Sequence, residues 1–128
     1  MHQRGIRGSD FAAKLVRFRD ADTPIVDIDL GFGVMFRTPV RLVGLESWEL
    51  DGPDRARALS ARVTLDKMFG GEPCRLTPQT QSLDRYGRVR GRVEMSTGDL
   101  CTVIVKCGLG WLVPLSHTHA KKEPEAKL

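Results

Sequence analysis

"AKLVRFRDADTPIVDIDLGFGV", residues 13–34, carries apolar and polar side chains at alternate positions through two runs and then breaks on closely spaced glycines. In "IVDIDL" the apolar Ile28 stands between Asp27 and Asp29, so one face of the run is wet and the other dry. Gly31 and Gly33 mark a bend or bulge before a third run, "VRLVGL" at 40–45. A period of two with β-branched and aromatic residues predicts an antiparallel meander from Phe11 to Leu45.

Beyond Leu50 the period changes. "DGPDRARALSARVTLDKMF" offers Asp51 as a cap, Pro53 near the first turn, and Ala56, Leu59 and Val63 at helical spacing, before Gly70 and Gly71 stop it. This predicts a helix of about four turns. A short strand around "PCRLT" follows, then a loop rich in Gln, Ser and Thr, then a strand from about Gly87 to Met95. "TGDLCTVIVKCGLGWLV" predicts a short helix capped by Asp99 or Thr97 and closed by Gly108, with an extended piece after it. Three strands, a helix, two strands and a closing helix match the element order of an OB-fold barrel, one candidate among several small α+β arrangements on periodicity alone.

The chain has 128 residues, enough for one domain with one core and too few for two ordinary ones. We expect a flexible segment at 1–10, a folded domain at 11–113 and a loose polar tail at 114–128. Hydrophobic residues make up 41% and charged residues 28%, a globular balance. No apolar run approaches the ~20 residues that span a bilayer, and the first ten residues lack the apolar stretch of a secretion signal, so the expected compartment is the cytoplasm. Cys74, Cys101 and Cys107 lack CxxC spacing and read as buried thiols in a reducing compartment. His117 and His119 form an HxH in the polar tail, where a solvated segment outweighs a metal site.

The net charge of +4 is unevenly spread. Residues 81–92 hold Arg85, Arg88, Arg90 and Arg92 against Asp84 alone, a basic field of the kind that attracts phosphates. "RDADT" supplies Asp20 and Asp22, "VRLVGLESWE" supplies Arg41, Glu46, Ser47 and Glu49, and "DRYGR" supplies Arg85, Tyr86 and Arg88. Carboxylates and carbonyls suit hard divalent cations, and guanidinium forks match phosphate oxygens. Phosphodiester hydrolysis needs both, with a base to orient water.

Taken in order, "DADT" (20–23), "RLVGLESWE" (41–49), "DRYGR" (84–88) and "VIVKCGLG" (103–110) resemble the thermonuclease, or staphylococcal-nuclease-like, domain family in its bacterial and phage-type branch, across roughly Ala12 to Val113. The resemblance implies a mainly β (α+β) five-stranded OB-fold barrel with two or three helices. It also implies a calcium-dependent nuclease hydrolysing DNA or RNA, expected single-stranded, with little sequence preference. Calcium would rest on Asp22, Glu46 and the carbonyl of Ser47. Arg41 and Arg88 would hold the scissile phosphate, Glu49 would handle the attacking water, and Arg85 with Tyr86 would grip a neighbouring phosphate. The expected molecule is a monomer without membrane partners. Glu46 stands where the family has aspartate, Ser47-Trp48 where it has Thr/Ala-Pro, and Ala21 where it has glycine. These departures imply weaker metal binding and reduced activity. The alternative is an OB module, weakened or inactive, that binds single strands or a protein partner. Trp111 is the nearest match to an aromatic that stacks on a base in some members, with the core as its other place.

Overall fold

The computed structural model describes residues 10–114. The expected loose ends fall outside the described residues except for Asp10 and Pro114, as do His117 and His119. Three long strands, β1 (Phe11–Asp20), β2 (Thr23–Asp29) and β3 (Met35–Leu42), form the meander that the alternation predicts. After β3 come a two-residue strand β4 (Leu45–Glu46), helix α1 (Arg55–Phe69), β5 (Pro73–Pro78) and β6 (Val89–Met95). A short β7 (Gly98–Asp99) leads into α2 (Leu100–Lys106), and β8 (Trp111–Leu112) ends the fold.

The main sheet runs β3-β2-β1-β5-β6, and β6 returns to pair with β3 in parallel, matching Val40 with Val89 and Leu42 with Gly91. That last pairing closes a five-stranded, OB-like barrel and removes the open edges. Leu15, Phe18, Val26, Val40, Leu42, Leu76 and Val93 fill it, each at most 1% exposed. Truncating one of these leucines to alanine costs about 2–5 kcal/mol. Among the described residues no helix is long and apolar enough to cross a membrane.

Four sequence expectations need correction. The run "VRLVGL" is not one strand: a turn at Val43–Gly44 ends β3, and β4 leaves to pair with β8. The helix buries Ala58, Ala61, Leu65 and Phe69, whereas Ala56 is exposed and Val63 is 47% exposed. Both combs have helical spacing, and the one ending on the large Phe69 side chain wins the core. Asp54, not Asp51, occupies the N-cap, with no side-chain cap bond. Among the cysteines only Cys101 is buried; Cys74 is half-buried and Cys107 exposed. Burial pushes the Cys101 thiol up to about 12 and the Cys74 thiol up to about 11, so both stay protonated at neutral pH. The second helix follows its prediction, with the Asp99 carboxylate accepting from Thr102 N–H.

Candidate phosphate and metal cleft

The site begins in the tight turn between β1 and β2. Pairing of β1 with β2 slips twice, between Leu15 and Arg17 and again between Phe18 and Asp20. Irregularities of this kind bend a strand and re-aim its side chains. The Phe18 N–H donates to Asp66 Oδ1 at 2.6 Å, so α1 is latched onto the distorted segment. Arg19 and Asp20 emerge beside Asp22. Ala21 is buried and takes no positive φ, so its side chain fits the turn.

Asp22, Glu49 and Arg88, from three distant parts of the sequence, line one cleft of about 450 Å³ with Arg19, Trp48 and Arg55. Asp22 is 2% exposed, and one of its oxygens accepts from Thr23 Oγ1 at 2.9 Å. Directly behind it lies Arg41, also buried. Its Nη1 donates to the carbonyls of Leu42 and Leu45 at 2.8 and 2.7 Å, and its Nη2 donates to Glu46 Oε2 at 2.7 Å while standing 3.7 Å from Asp22 Oδ2. Two carboxylates therefore flank one guanidinium nitrogen, and by formal charge the buried trio is net negative.

The chain holds Glu46 from below. Glu46 pairs with Trp111 across β4 and β8, and the Ser47 Oγ–H donates to the Leu109 carbonyl at 2.7 Å. A Cβ at Gly110 would stand 2.8 Å from the Glu46 carbonyl oxygen, so only glycine permits this approach. Trp48 packs edge-to-face on Trp111 at 5.8 Å and lies under the Arg57 guanidinium at 5.6 Å. Those contacts restrain the segment leading to Glu49. Trp111 is buried in the core, so it offers no platform to a base.

The loop before β6 is a compact turn around Asp84. Gly87, at φ +78°, donates to the Asp84 carbonyl, a conformation costly for a residue with a Cβ. One Asp84 carboxylate oxygen accepts from the N–H groups of Tyr86 and Arg88, and the other from Arg88 Nε, each at 2.9 Å. Burial pushes the Asp84 carboxyl up, but these bonds and the Arg88 charge together outweigh it and hold the group below the usual carboxylate range. Arg88 is thereby aimed at the cleft. The guanidinium carbons of Arg85 and Arg88 lie 5.2 and 5.1 Å from the Tyr86 ring centre. Tyr86 is 61% exposed, and neither it nor Arg85 lines the cleft.

Sequence reasoning named Asp22, Glu49 and Arg88, and the structure brings them together. Arg41 and Glu46 lie just behind them, Ser47 is buried beside Glu46, and Arg85 and Tyr86 stand outside on the surface turn. Arg19, Asp51 and Arg55 also line the cleft and were not anticipated. Arg55 belongs to the first turn of α1, and its Nη1 donates to the Leu50 carbonyl at 2.8 Å. Nothing in the sequence announces that α1 begins at the cleft. Among the described residues no three acidic, histidine or cysteine groups gather to hold a metal. The donors near Asp22 are hard oxygens of the type calcium takes, two carboxylates with main-chain carbonyls and water to complete a shell. No protein-family model matches the chain, and no curated protein matches it. The class defined by the fold and the cleft is an OB-like barrel with acids and arginines converging at one end.

Proposed function

We propose that the chain is a staphylococcal-nuclease-like phosphodiesterase that cleaves DNA or RNA at this cleft with little sequence preference. The supporting observation is the convergence of Asp22, Glu49 and Arg88 on one cleft, with Arg41 and Glu46 immediately behind. Calcium, when bound by Asp22, Glu46 and the Ser47 carbonyl, supplies positive charge beside the phosphate oxygens. Arg88 binds the phosphodiester and stabilises the charge that builds on it. Glu49 orients the attacking water and takes its proton as the new P–O bond forms and the ester P–O bond breaks. Arg85 and Tyr86 steady a neighbouring phosphate outside the cleft. Arg41 is a positioning residue: its Nη1 is engaged by two carbonyls, and its Nη2 meets a phosphate in competition with Glu46.

That competition supports a second reading, an OB module that binds single strands without cutting them. The longer Glu46 side chain clasps Arg41 and so opposes both metal capture and phosphate contact. Incubation of the purified chain with single-stranded DNA and calcium separates the two readings. Cleavage that a chelator stops, and that falls about 10²–10³-fold in Arg88→Ala, is the expected result. Glu46→Asp should raise activity and tighten calcium binding measured by calorimetry. Retained DNA binding with intact substrate in both forms supports the module reading instead.

A further inference from the structure

The end of the barrel opposite the cleft, where β2 turns into β3, is open and apolar. The inward-facing row of β2 goes from fully buried Val26 to Ile28 and then to Leu30 at 48% exposure. The row of β3 goes from fully buried Val40 through Thr38 to Phe36 at 39%. The core thus runs out before the strands do. Ile28, Leu30 and Phe36, with Phe11, Leu83 and Val89, line a cavity of about 470 Å³. Next to it the hairpin projects Phe32 fully into solvent, with Val34 and Met35 about half exposed.

The hairpin is well hydrogen-bonded. The Leu30 N–H donates to the Val34 carbonyl and the Val34 N–H to the Gly31 carbonyl, each at 2.9 Å, the Gly31 N–H donates to Asp29 Oδ1 at 2.8 Å, and Arg37 clasps Asp27 with two bonds of 2.7 and 2.9 Å. Phe32 is held at φ +57°, the one described non-glycine residue with positive φ. A bulky side chain in the left-handed region and wholly in water is unfavourable on both counts.

We propose that this mouth is a self-association surface, in which Phe32 of each of two copies enters the barrel mouth of the other. A knob and a hole beside one another on the same face are self-complementary, the requirement of a two-fold interface. Phe32 with half-exposed Leu30, Val34, Met35, Phe36 and Leu83 offers on the order of 400–500 Å² of apolar surface per copy. Both copies then bury roughly 800–1,000 Å², at the low end of specific interfaces, and the dimer is weak and concentration-dependent. The hairpin itself carries Asp27, Asp29 and Arg37, and its one cation is already tied to Asp27, so it offers a phosphate backbone little. The cavity is lined by Val89 and the cleft by Arg88, its neighbour in the chain, so the two adjoin on that side of the barrel. The inference rests on the cavity and the exposed hairpin, none of whose residues belongs to the proposed catalytic set.

Sedimentation velocity of the full chain tests it. The expected result is a shift from monomer to dimer mass between about 5 µM and 500 µM. Phe32→Asn removes the knob with a residue that tolerates the left-handed region, and should stay monomeric with an unchanged circular dichroism spectrum. Leu83→Asp, on the rim of the hole, should weaken association at least tenfold. A wild-type chain that is monomeric throughout that range, or a Phe32→Asn chain that dimerises as well as wild type, overturns the proposal.

Discussion

The same strands, β1 to β3, build both ends of the barrel, and the ends differ in what holds them. At the cleft end the chain buries charge: Asp22, Arg41 and Glu46 are each at most 3% exposed and interlock through one guanidinium. At the mouth end it exposes hydrocarbon, and its charged pair, Asp27 with Arg37, sits outside on the strand surface. Buried ion pairs stabilise little relative to an apolar filling, yet breaking one is costly, because the surviving charge keeps its desolvation penalty. The polar end is therefore held by charges that depend on one another, and the apolar end leaves hydrocarbon that its own chain does not cover.

The largest expected effect tests that contrast directly. Arg41→Met leaves the buried Asp22 and Glu46 carboxylates without the guanidinium that lies between them, and should destabilise the fold by about 3–5 kcal/mol in urea unfolding. Leu30→Ala at the mouth removes a half-exposed side chain and should cost under about 1 kcal/mol. Equal costs would mean that the two ends are held by the same means.

A smaller effect separates the cleft end by pH. The Asp84 carboxyl is held below the ordinary carboxylate range in the fold, so its contribution is present above the unfolded value of about 4 and is lost as pH falls through the folded value. Wild type should lose stability relative to Asp84→Asn across that acid window, and the two should differ by under about 1 kcal/mol at neutral pH. If the difference between them does not change with pH, the Asp84 clasp does not set the Arg88 turn. The mouth-end pair gives an internal control. Asp27 is also lowered, chiefly by its hydrogen bond to Arg37, but Asp84→Asn leaves it untouched.

The meander was legible because its strands advertise themselves, whereas periodicity left the barrel one candidate among several and the expectation of it came from the resemblance. The Asp27–Ile28–Asp29 alternation fixes which face is wet, and the glycines at 31 and 33 place the turn. Two-residue strands such as β4 and β8 carry no period, so the break at Gly44 and the support of Glu46 by Trp111 were not readable. The helix was legible as a helix, but its inward comb was not, since Ala56-Leu59-Val63 and Ala58-Ala61-Leu65 share one spacing and only the packing of Phe69 decides between them. At the cleft, types and order pointed to Asp22, Glu49 and Arg88. Arg19 and Arg55 reach the same cleft through a slipped strand pairing and a helix start, neither of which leaves a pattern in the residues around it.

The smallest effect concerns the hairpin tip, and its sign distinguishes a strained contact residue from a stabilising one. Phe32 buries nothing within its own chain, so replacing it by glycine forfeits no packing. Release from the left-handed region returns about 1–2 kcal/mol, and the greater freedom of glycine in the unfolded chain takes back roughly half of that. Phe32→Gly should thus raise stability by about 0.5–1 kcal/mol when measured at dilution, where the chain is monomeric. At high concentration the wild type gains stability from association that the variant lacks, and the advantage should shrink or reverse. A gain that is the same at both concentrations would show that the phenylalanine strains the turn without serving a contact. A loss at dilution would place a stabilising interaction of Phe32 inside the monomer.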